Sequence, residues 1–175
     1  RPAGGTVLLS YGSETLRGLL DLPSAGGPAL TVTAEGLEIA ATCTVAELWA
    51  FEERALAAPV RDRVRALDLL RPCCDSFVAS LMIWNTSTVG GNVCTSLPAG
   101  PMISLTAALD GVAEVWGPGG TRREQPVVDL VTGEVRNTLA PGELLRAIRL
   151  RDHALRWRTA FRRVAGSARG RGGGG

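Results

Sequence analysis

Two glycine-containing segments have the residue types that hold a phosphate group, Ala3-Gly-Gly-Thr6 and Thr88-Val-Gly-Gly-Asn92. Paired glycines allow a backbone turn with positive φ and remove the Cβ atoms that would keep a phosphate away. Consecutive N–H groups are then expected to point into one concavity and to bind an anion as a nest. Two such loops suit a diphosphate, which has two charged groups to neutralise.

Each loop taken alone is a weak signal, because a lone Gly-Gly pair is most often a turn. Neither loop matches the G-x-G-x-x-G dinucleotide fingerprint or the G-x-x-x-x-G-K-[ST] phosphate loop. The side chains of Thr6, Thr88 and Asn92 add hydrogen-bonding groups beside the glycines. The residues by themselves therefore indicate two candidate anion-binding loops, with plain turns as the alternative.

Composition restricts the class of protein that must position these loops. The 175 residues suffice for one domain or for two small lobes that share a core. A formal net charge of +2 is too small to indicate binding to nucleic acid or to a membrane surface. All 19 basic residues are arginine, so a single arginine is only a weak indication of a phosphate site. No apolar run reaches the roughly twenty residues of a membrane span, and no signal peptide is visible, so we expect a cytoplasmic protein.

The four cysteines form no C-x-x-C pair, and the one histidine, His153, lies far from them along the chain. The sequence therefore predicts no metal site and no iron–sulfur cluster in this chain. Buried thiols of a reduced intracellular protein are the favoured interpretation, and a redox role for the adjacent Cys73 and Cys74 is the alternative.

The first half of the chain predicts a hairpin followed by helices. Residues 30–33 and 37–40 alternate in polarity around Glu35-Gly36, which is typical of two paired strands. Thr44-x-x-Glu47 has the spacing of a capping box and predicts a helix over 45–58.

Further helices are expected over 60–70 and from Pro72 towards Trp84, before a loop over 85–101 that is rich in Thr, Ser and Gly. A short helix over 103–109 should follow.

The second half predicts another hairpin, with strands over 112–116 and 121–128 around the turn 117–120, and a strand over 146–150. Residues 165–175 are low in complexity and cannot bury a core. A flexible end is the favoured interpretation, and a basic tail for an anionic partner is the alternative. The resulting fold class is α+β.

The order of these motifs resembles the FAD-binding medium subunit of the molybdenum hydroxylases. This is the xanthine dehydrogenase and carbon monoxide dehydrogenase family, whose flavin domain is of the p-cresol methylhydroxylase and vanillyl-alcohol oxidase type. The resemblance covers residues 1–163, and the second glycine loop is its most specific part. It is carried by Ala3–Thr6, Thr44-x-x-Glu47-Leu48, Asn85–Asn92, Ser96–Ala99, Ala107–Asp110 and Leu139–Leu145.

The resemblance implies an FAD-binding fold of two small lobes. Residues 1–45 would be the remainder of the small N-terminal FAD lobe, and residues 46–155 the larger FAD-binding lobe. Residues 156–175 would be a remnant of the family's C-terminal domain that ends in a flexible Arg/Gly tail. Relative to the family, the chain is expected to be truncated at both ends.

The resemblance also implies which residues contact FAD. Both glycine loops would wrap the diphosphate, a leucine after the Pro-Gly-Glu turn would lie against the flavin, and an arginine would replace the lysine that often follows a late phenylalanine. Without a histidine near either loop, the FAD is expected to be noncovalent. The implied contacts are Ala3, Gly4, Gly5, Thr6, Val7, Thr88, Val89, Gly90, Gly91, Asn92, Leu145 and Arg162.

Two positions depart from the family pattern. Pro101 stands where members commonly carry an aspartate that binds flavin hydroxyls, and a proline side chain cannot accept that hydrogen bond. Trp84 stands where an arginine is usual. Packing is the favoured role of this tryptophan, with flavin stacking as the alternative.

The implied function is an electron-transfer subunit of a hetero-oligomeric oxidoreductase. A molybdenum cofactor on a large subunit would hydroxylate the substrate, and [2Fe-2S] clusters on a small subunit would pass electrons to FAD on this chain. FAD would deliver them to an external acceptor. Two alternatives stay open: a non-catalytic assembly module that has lost tight FAD binding, and a stand-alone flavoprotein oxidoreductase.

Overall fold

The computed structural model describes residues 21–22, 27–54, 64–98 and 100–164. Its centre is a five-stranded antiparallel sheet in the order β1-β2-β7-β3-β4, accompanied by the two-stranded ribbon β5-β6. The strands are β1 Leu30–Thr33, β2 Gly36–Ala40, β3 Val112–Trp116, β4 Arg122–Pro126, β5 Val131–Gly133, β6 Arg136–Asn137 and β7 Leu144–Arg151.

The described part of the chain combines helices with this antiparallel sheet, which confirms a mixed α+β fold. They are α1 Val45–Arg54, α2 Leu70–Asp75, α3 Leu81–Thr86, α4 Val89–Thr95, α5 Pro101–Ala108, α6 Val127–Leu130 and α7 Asp152–Leu155. Two short 3-10 segments, Arg65–Leu69 and Pro118–Gly120, complete the description.

The hairpin predicted around Glu35-Gly36 is confirmed. Strand β1 pairs with β2, and β2 pairs in turn with β7 at the centre of the sheet. Gly36 has φ +143, and a Cβ at this position would collide with the carbonyl of Leu150. Only glycine therefore satisfies both the backbone angle and the close approach of β7.

The capping box at the start of α1 is also confirmed. The Thr44 amide donates to Glu47 Oε2 at 2.8 Å, and the Glu47 amide donates to Thr44 Oγ1 at 3.1 Å. Each side chain thus accepts a hydrogen bond from a backbone amide that has no carbonyl partner in the first turn of the helix.

We expect Thr44→Ala to lower the free energy of unfolding by about 1 kcal/mol, because the Glu47 amide loses its acceptor. Thermal unfolding checks this, with Thr42→Ala as the control two residues earlier. Thr42 is half-buried. The control should change the free energy of unfolding by less than about 0.5 kcal/mol. Equal losses in both variants would contradict the role of the capping box.

Two of the expected secondary-structure assignments are wrong. A helix does not run from Pro72 to Trp84: α2 already contains Pro72 as its third residue, and α3 begins afresh after Ser80. Proline is tolerated there because the first-turn amides have no partner within the helix. The expected loop over 85–101 is also wrong, since it contains the helix α4.

The second hairpin, the short helix before it and the late strand are confirmed as β3–β4, α5 and β7. Strand side chains alternate between the sheet's two faces. One face supplies Leu37, Ile39, Ala113, Ile148 and Leu150 to a core that the helices cover.

The opposite face of the sheet carries a charged cluster around Arg149. Its Nη2 lies 3.2 Å from Glu114 and 2.8 Å from Glu124, and its Nε lies 3.9 Å from Glu38. Partial burial raises the pKa of Glu114, but the hydrogen bond from Trp116 and the charge of Arg149 outweigh it, so the net shift is downward. The cluster therefore joins β2, β3, β4 and β7 on this face.

Candidate functional site

The second glycine loop forms the start of α4 and packs against the connection between β2 and α1. The Gly90 amide donates to Ala41 O at 3.0 Å, and the Val89 amide donates to Cys43 O at 2.8 Å. An isolated β-bridge joins Thr44 to Thr88 directly before the helix. The backbone of α4 thus docks on residues that follow the central hairpin.

Gly90 is required by this docking. A Cβ built on Gly90 would lie 2.5 Å from Ala41 Cβ and 2.7 Å from Ala41 O. Both contacts are far inside van der Waals distance, and neither the backbone oxygen nor the Cβ of Ala41 can rotate away. This glycine therefore serves the close packing of a helix on the chain beside it.

The N-terminal amides of α4 are committed within the protein. Val89 and Gly90 donate to main-chain carbonyls, and the Gly91 amide donates to Thr88 Oγ1 at 3.0 Å. The Asn92 amide continues the helical pattern by donating to Thr88 O. The expectation of a nest of free amides at this loop is therefore wrong, since the helix N-terminus is already paired.

Asn92 connects α4 to the next helix. Its Oδ1 accepts from the Met102 amide at 3.1 Å, which pairs one of the free amides in the first turn of α5. Pro101 precedes Met102 as the first residue of α5, where its missing N–H costs nothing. Pro101 is buried, so it acts as a helix start and brings no carboxylate to this end of the fold.

The C-terminal end of α4 is fixed by the ribbon β5-β6. Asn137 Nδ2 donates to Cys94 O at 2.8 Å and to Ser96 Oγ at 3.2 Å, and the Val135 amide donates to Ser96 O at 2.9 Å. Ser96 itself has φ +54. Sequence reasoning missed this anchor, because Asn137 lies 41 residues beyond Ser96 and belongs to no local pattern.

The stretch of chain that contains α4 carries no charged side chain. No Asp, Glu or Arg occurs between Asp75 and Asp110. A cavity of about 380 Å³ lies nearby, lined by Thr44, Asn85 and Glu47 together with apolar residues of β1 and α1. The Glu47 carboxylate belongs to the capping box. A ligand in this cavity would meet hydroxyl, amide and apolar groups together with the Glu47 carboxylate.

The other predicted contacts lie on other elements or outside the described residues. Leu145 lies on β7 in the hydrophobic core, 3% exposed. Arg162 is exposed and donates from Nη1 to Phe161 O. Ala3, Gly4, Gly5, Thr6 and Val7 lie outside the described residues.

The turn before Leu145 is held by a charged pair. Arg123 on β4 donates to both oxygens of Glu143, from Nε at 2.8 Å and from Nη2 at 2.7 Å. The Ala140 amide also donates to Glu143 Oε2. The Arg123 hydrogen bonds and the Ala140 amide together lower the pKa of Glu143 to about 2.

We expect the stabilisation by Glu143 to be fully present above its unfolded pKa of 4.5 and to be lost as the pH falls through about 2. The sign follows because a lowered folded-state pKa means that the unfolded chain binds the proton more tightly. Urea unfolding between neutral and acid pH checks this. Glu143→Gln should flatten that part of the profile, and an unchanged slope would contradict the pairing.

Trp84 and the cysteines take packing positions. Trp84 packs edge-on against Trp49 with ring centroids 6.5 Å apart, and its Nε1 donates to Phe77 O. Cys43, Cys73 and Cys74 are buried, as expected, and Cys94 is half-buried. Burial raises the pKa of Cys73 to about 11, so this thiol is not a reactive thiolate near neutral pH.

Among the described residues, no cluster of His, Cys, Asp or Glu has the arrangement that holds a metal ion. No helix in the described ranges is both long and apolar enough to cross a membrane.

Comparison with known proteins identifies the class of this domain. Residues 3–150 match the family model of the FAD binding domain in molybdopterin dehydrogenase. The chain is 25% identical over 132 residues to aldehyde oxidase 2 of Cavia porcellus, a match that covers 75% of this chain and 10% of that protein.

Solved structures have the same fold. Reconstituted CO dehydrogenase from Oligotropha carboxidovorans matches with a TM-score of 0.65 and 25% identity, over 85% of this chain and 50% of that one. Quinoline 2-oxidoreductase from Pseudomonas putida 86 matches with a TM-score of 0.64 and 21% identity, over the same shares of the two chains. The chain thus spans about half the length of these relatives.

The protein belongs to the family of FAD-binding domains of the molybdopterin dehydrogenases. It is accordingly a homologue of oxidoreductase flavin domains, as its ordered motifs predict.

Proposed function

We propose that this chain binds FAD noncovalently and serves as the electron-transfer flavoprotein component of a molybdenum-containing hydroxylase or dehydrogenase. The single observation that carries the proposal is the family match over residues 3–150, which includes both glycine loops. The chain's own fold supports it, because hydrogen bonds to Ala41 and Cys43 and the bridge from Thr44 to Thr88 position the second loop.

The proposed contacts are Ala3–Val7, Thr88–Asn92, Leu145 and Arg162. The first amides of α4 are paired within the protein. The second loop would therefore line the site without donating these amides, and its small residues would allow the cofactor to lie close to the backbone. The residues Ala3–Val7 would then make most of the contacts with the diphosphate.

Bound FAD would supply the redox chemistry, accepting electrons from one partner and releasing them to another. The residues of this chain would bind the cofactor, orient it and restrict its access to water. The partners would be a molybdopterin-binding large subunit and a small subunit with [2Fe-2S] clusters, because the described residues offer no ligand set for a cluster.

A reduction experiment tests this role. The FAD-loaded chain is mixed anaerobically with the cluster-bearing and molybdenum-bearing partners and with their substrate. Loss of the visible flavin absorption that depends on both partners is expected. Flavin that stays oxidised in the assembled, substrate-reduced complex would contradict an electron-transfer role.

A second candidate function is a non-catalytic assembly module without tight FAD binding. Two observations favour it: Pro101 begins α5 where the resemblance implies an aspartate, and the amides of Val89, Gly90 and Gly91 are paired within the protein. The two candidates differ in one result. An assembly module would copurify with the partners yet retain no flavin after incubation with FAD, whereas the flavoprotein would retain it.

A further inference from the structure

Trp116, at the end of β3, lies between two arginine side chains on the face of the sheet that the helices leave open. The Arg122 Cζ lies 4.8 Å from the ring centroid, and the Arg146 Cζ lies 5.5 Å from it. The indole Nε1 donates to Glu114 Oε1 at 2.7 Å, which fixes the ring orientation. Two cations thus share one aromatic ring.

The guanidinium groups beside Trp116 keep hydrogen-bond donors free, although the charge of Arg146 helps to lower the pKa of Glu114. The nearby carboxylates of Glu38, Glu114 and Glu124 gather around Arg149. Neither Arg122 nor Arg146 has an ion pair or a side-chain hydrogen bond in the part of the chain that the structure describes. Each guanidinium carries five N–H donors, so this end of the sheet offers uncommitted donors.

A cleft of about 310 Å³ opens beside this ring. Trp116, Arg122 and Leu144 line it together with the turn 117–120. A Cβ atom at Gly119 or Gly120 of that turn would have no other atom within 4 Å, so this side of the cleft is open to solvent. None of the lining residues belongs to α4 or to the connection on which α4 docks.

We propose that this cleft binds a small carboxylate carried on a flat apolar group, such as an aromatic or heteroaromatic acid. The Arg122 guanidinium would donate to the carboxylate, since planar N–H donors match that group. Trp116 and Leu144 would contact the flat group, and Arg146 would add positive charge. The cleft shares no residue with the proposed FAD contacts: Leu144 and Arg146 flank Leu145 on β7, but the Leu145 side chain lies in the core on the other face of the sheet.

Nitrogen-15 NMR of the full chain tests the site through the indole N–H signals of its four tryptophans. Trp116→Phe assigns the signal of interest by its loss. Benzoate should shift the Trp116 signal saturably and leave the other three unmoved. Arg122→Gln should weaken binding about tenfold, because a charge-assisted hydrogen bond is lost. Arg146→Gln should weaken it less.

Matched probes and a matched variant decide the outcome. Benzamide, which is flat but neutral, should bind at least about tenfold more weakly than benzoate. Inorganic phosphate, which is charged but not flat, should also bind more weakly. Arg151→Gln, at the other end of β7, should change the benzoate affinity less than about twofold. Equal shifts by benzamide, equal affinity for phosphate or equal weakening in Arg151→Gln would overturn the proposal.

Discussion

Replacing Gly90 with alanine is expected to destabilise the fold and to prevent the retention of FAD. An alanine in place of a helical glycine ordinarily stabilises by roughly 0.5–1 kcal/mol. Here the added Cβ would lie 2.5 Å from Ala41 Cβ and 2.7 Å from Ala41 O. Overpacking of this kind costs about 1–3 kcal/mol, so the steric cost outweighs the gain in helix propensity. Gly90→Val should have a larger effect, because its β-branch adds further bulk.

Thermal unfolding and flavin content measured on the same preparations check this expectation. At this chain length, each kcal/mol corresponds to about 2–4 °C in the unfolding temperature. Gly133→Ala is the matched control, since a Cβ there has no atom within 4 Å. The control should keep both the wild-type stability and the wild-type flavin content. A Gly90→Ala protein as stable as Gly133→Ala would contradict the close docking of α4 on Ala41.

Asn137→Ala is expected to give the second large loss. The amide side chain of Asn137 pairs Cys94 O and Ser96 Oγ, and its Oδ1 accepts from the Leu139 amide. Removal of the Asn137 amide leaves these groups without a hydrogen-bond partner at a half-buried position, which lowers the free energy of unfolding by about 1–3 kcal/mol. The C-terminal end of α4 would lose an anchor, so FAD affinity should fall along with stability. Urea unfolding and an FAD titration on one preparation measure both effects.

Asn85→Ala provides the matched control for stability. Asn85 is exposed, and its side chain donates to Leu81 O within the same short helix. Its loss should change the free energy of unfolding by less than about 0.5 kcal/mol. If both asparagine variants were equally stable, the ribbon β5-β6 would not hold α4 in place.

Local patterns were sufficient to predict the hairpins and the start of α1. The alternation on either side of Glu35-Gly36 and the Thr44-x-x-Glu47 spacing depend on residues that are neighbours in the chain. Such signals are physical statements about backbone turns and unpaired amides, and they hold without knowledge of the rest of the fold. The family resemblance, too, depends on the order of local motifs, and the match over residues 3–150 confirms it.

The helix at the second glycine loop could not be predicted in the same way. Glycine disfavours a helix, so the pair Gly90-Gly91 indicated a turn with free amides. Packing against Ala41, some fifty residues earlier, overrides this preference and makes a glycine necessary inside the helix. The anchor at Asn137 is equally non-local. In both cases the deciding partner is distant in sequence, where composition and spacing carry no information.

The contacts between FAD and the chain stay a prediction at each position, and the internal pairing of the α4 amides sharpens it. If the second loop lines the site without donating these amides, the residues Ala3–Val7 must supply more of the diphosphate binding. Substitutions there should reduce FAD affinity without lowering stability as Gly90→Ala does. The comparison distinguishes a variant that loses a contact with FAD from one that loses the packing of α4 on Ala41.

The most direct test of the central claim is the flavin content of the purified chain. The protein is incubated with excess FAD, separated from free cofactor by gel filtration and then denatured to release what it has bound. We predict about one FAD per chain, all of it released on denaturation because the cofactor is noncovalent. A chain that remains folded and elutes without flavin would contradict the flavoprotein assignment.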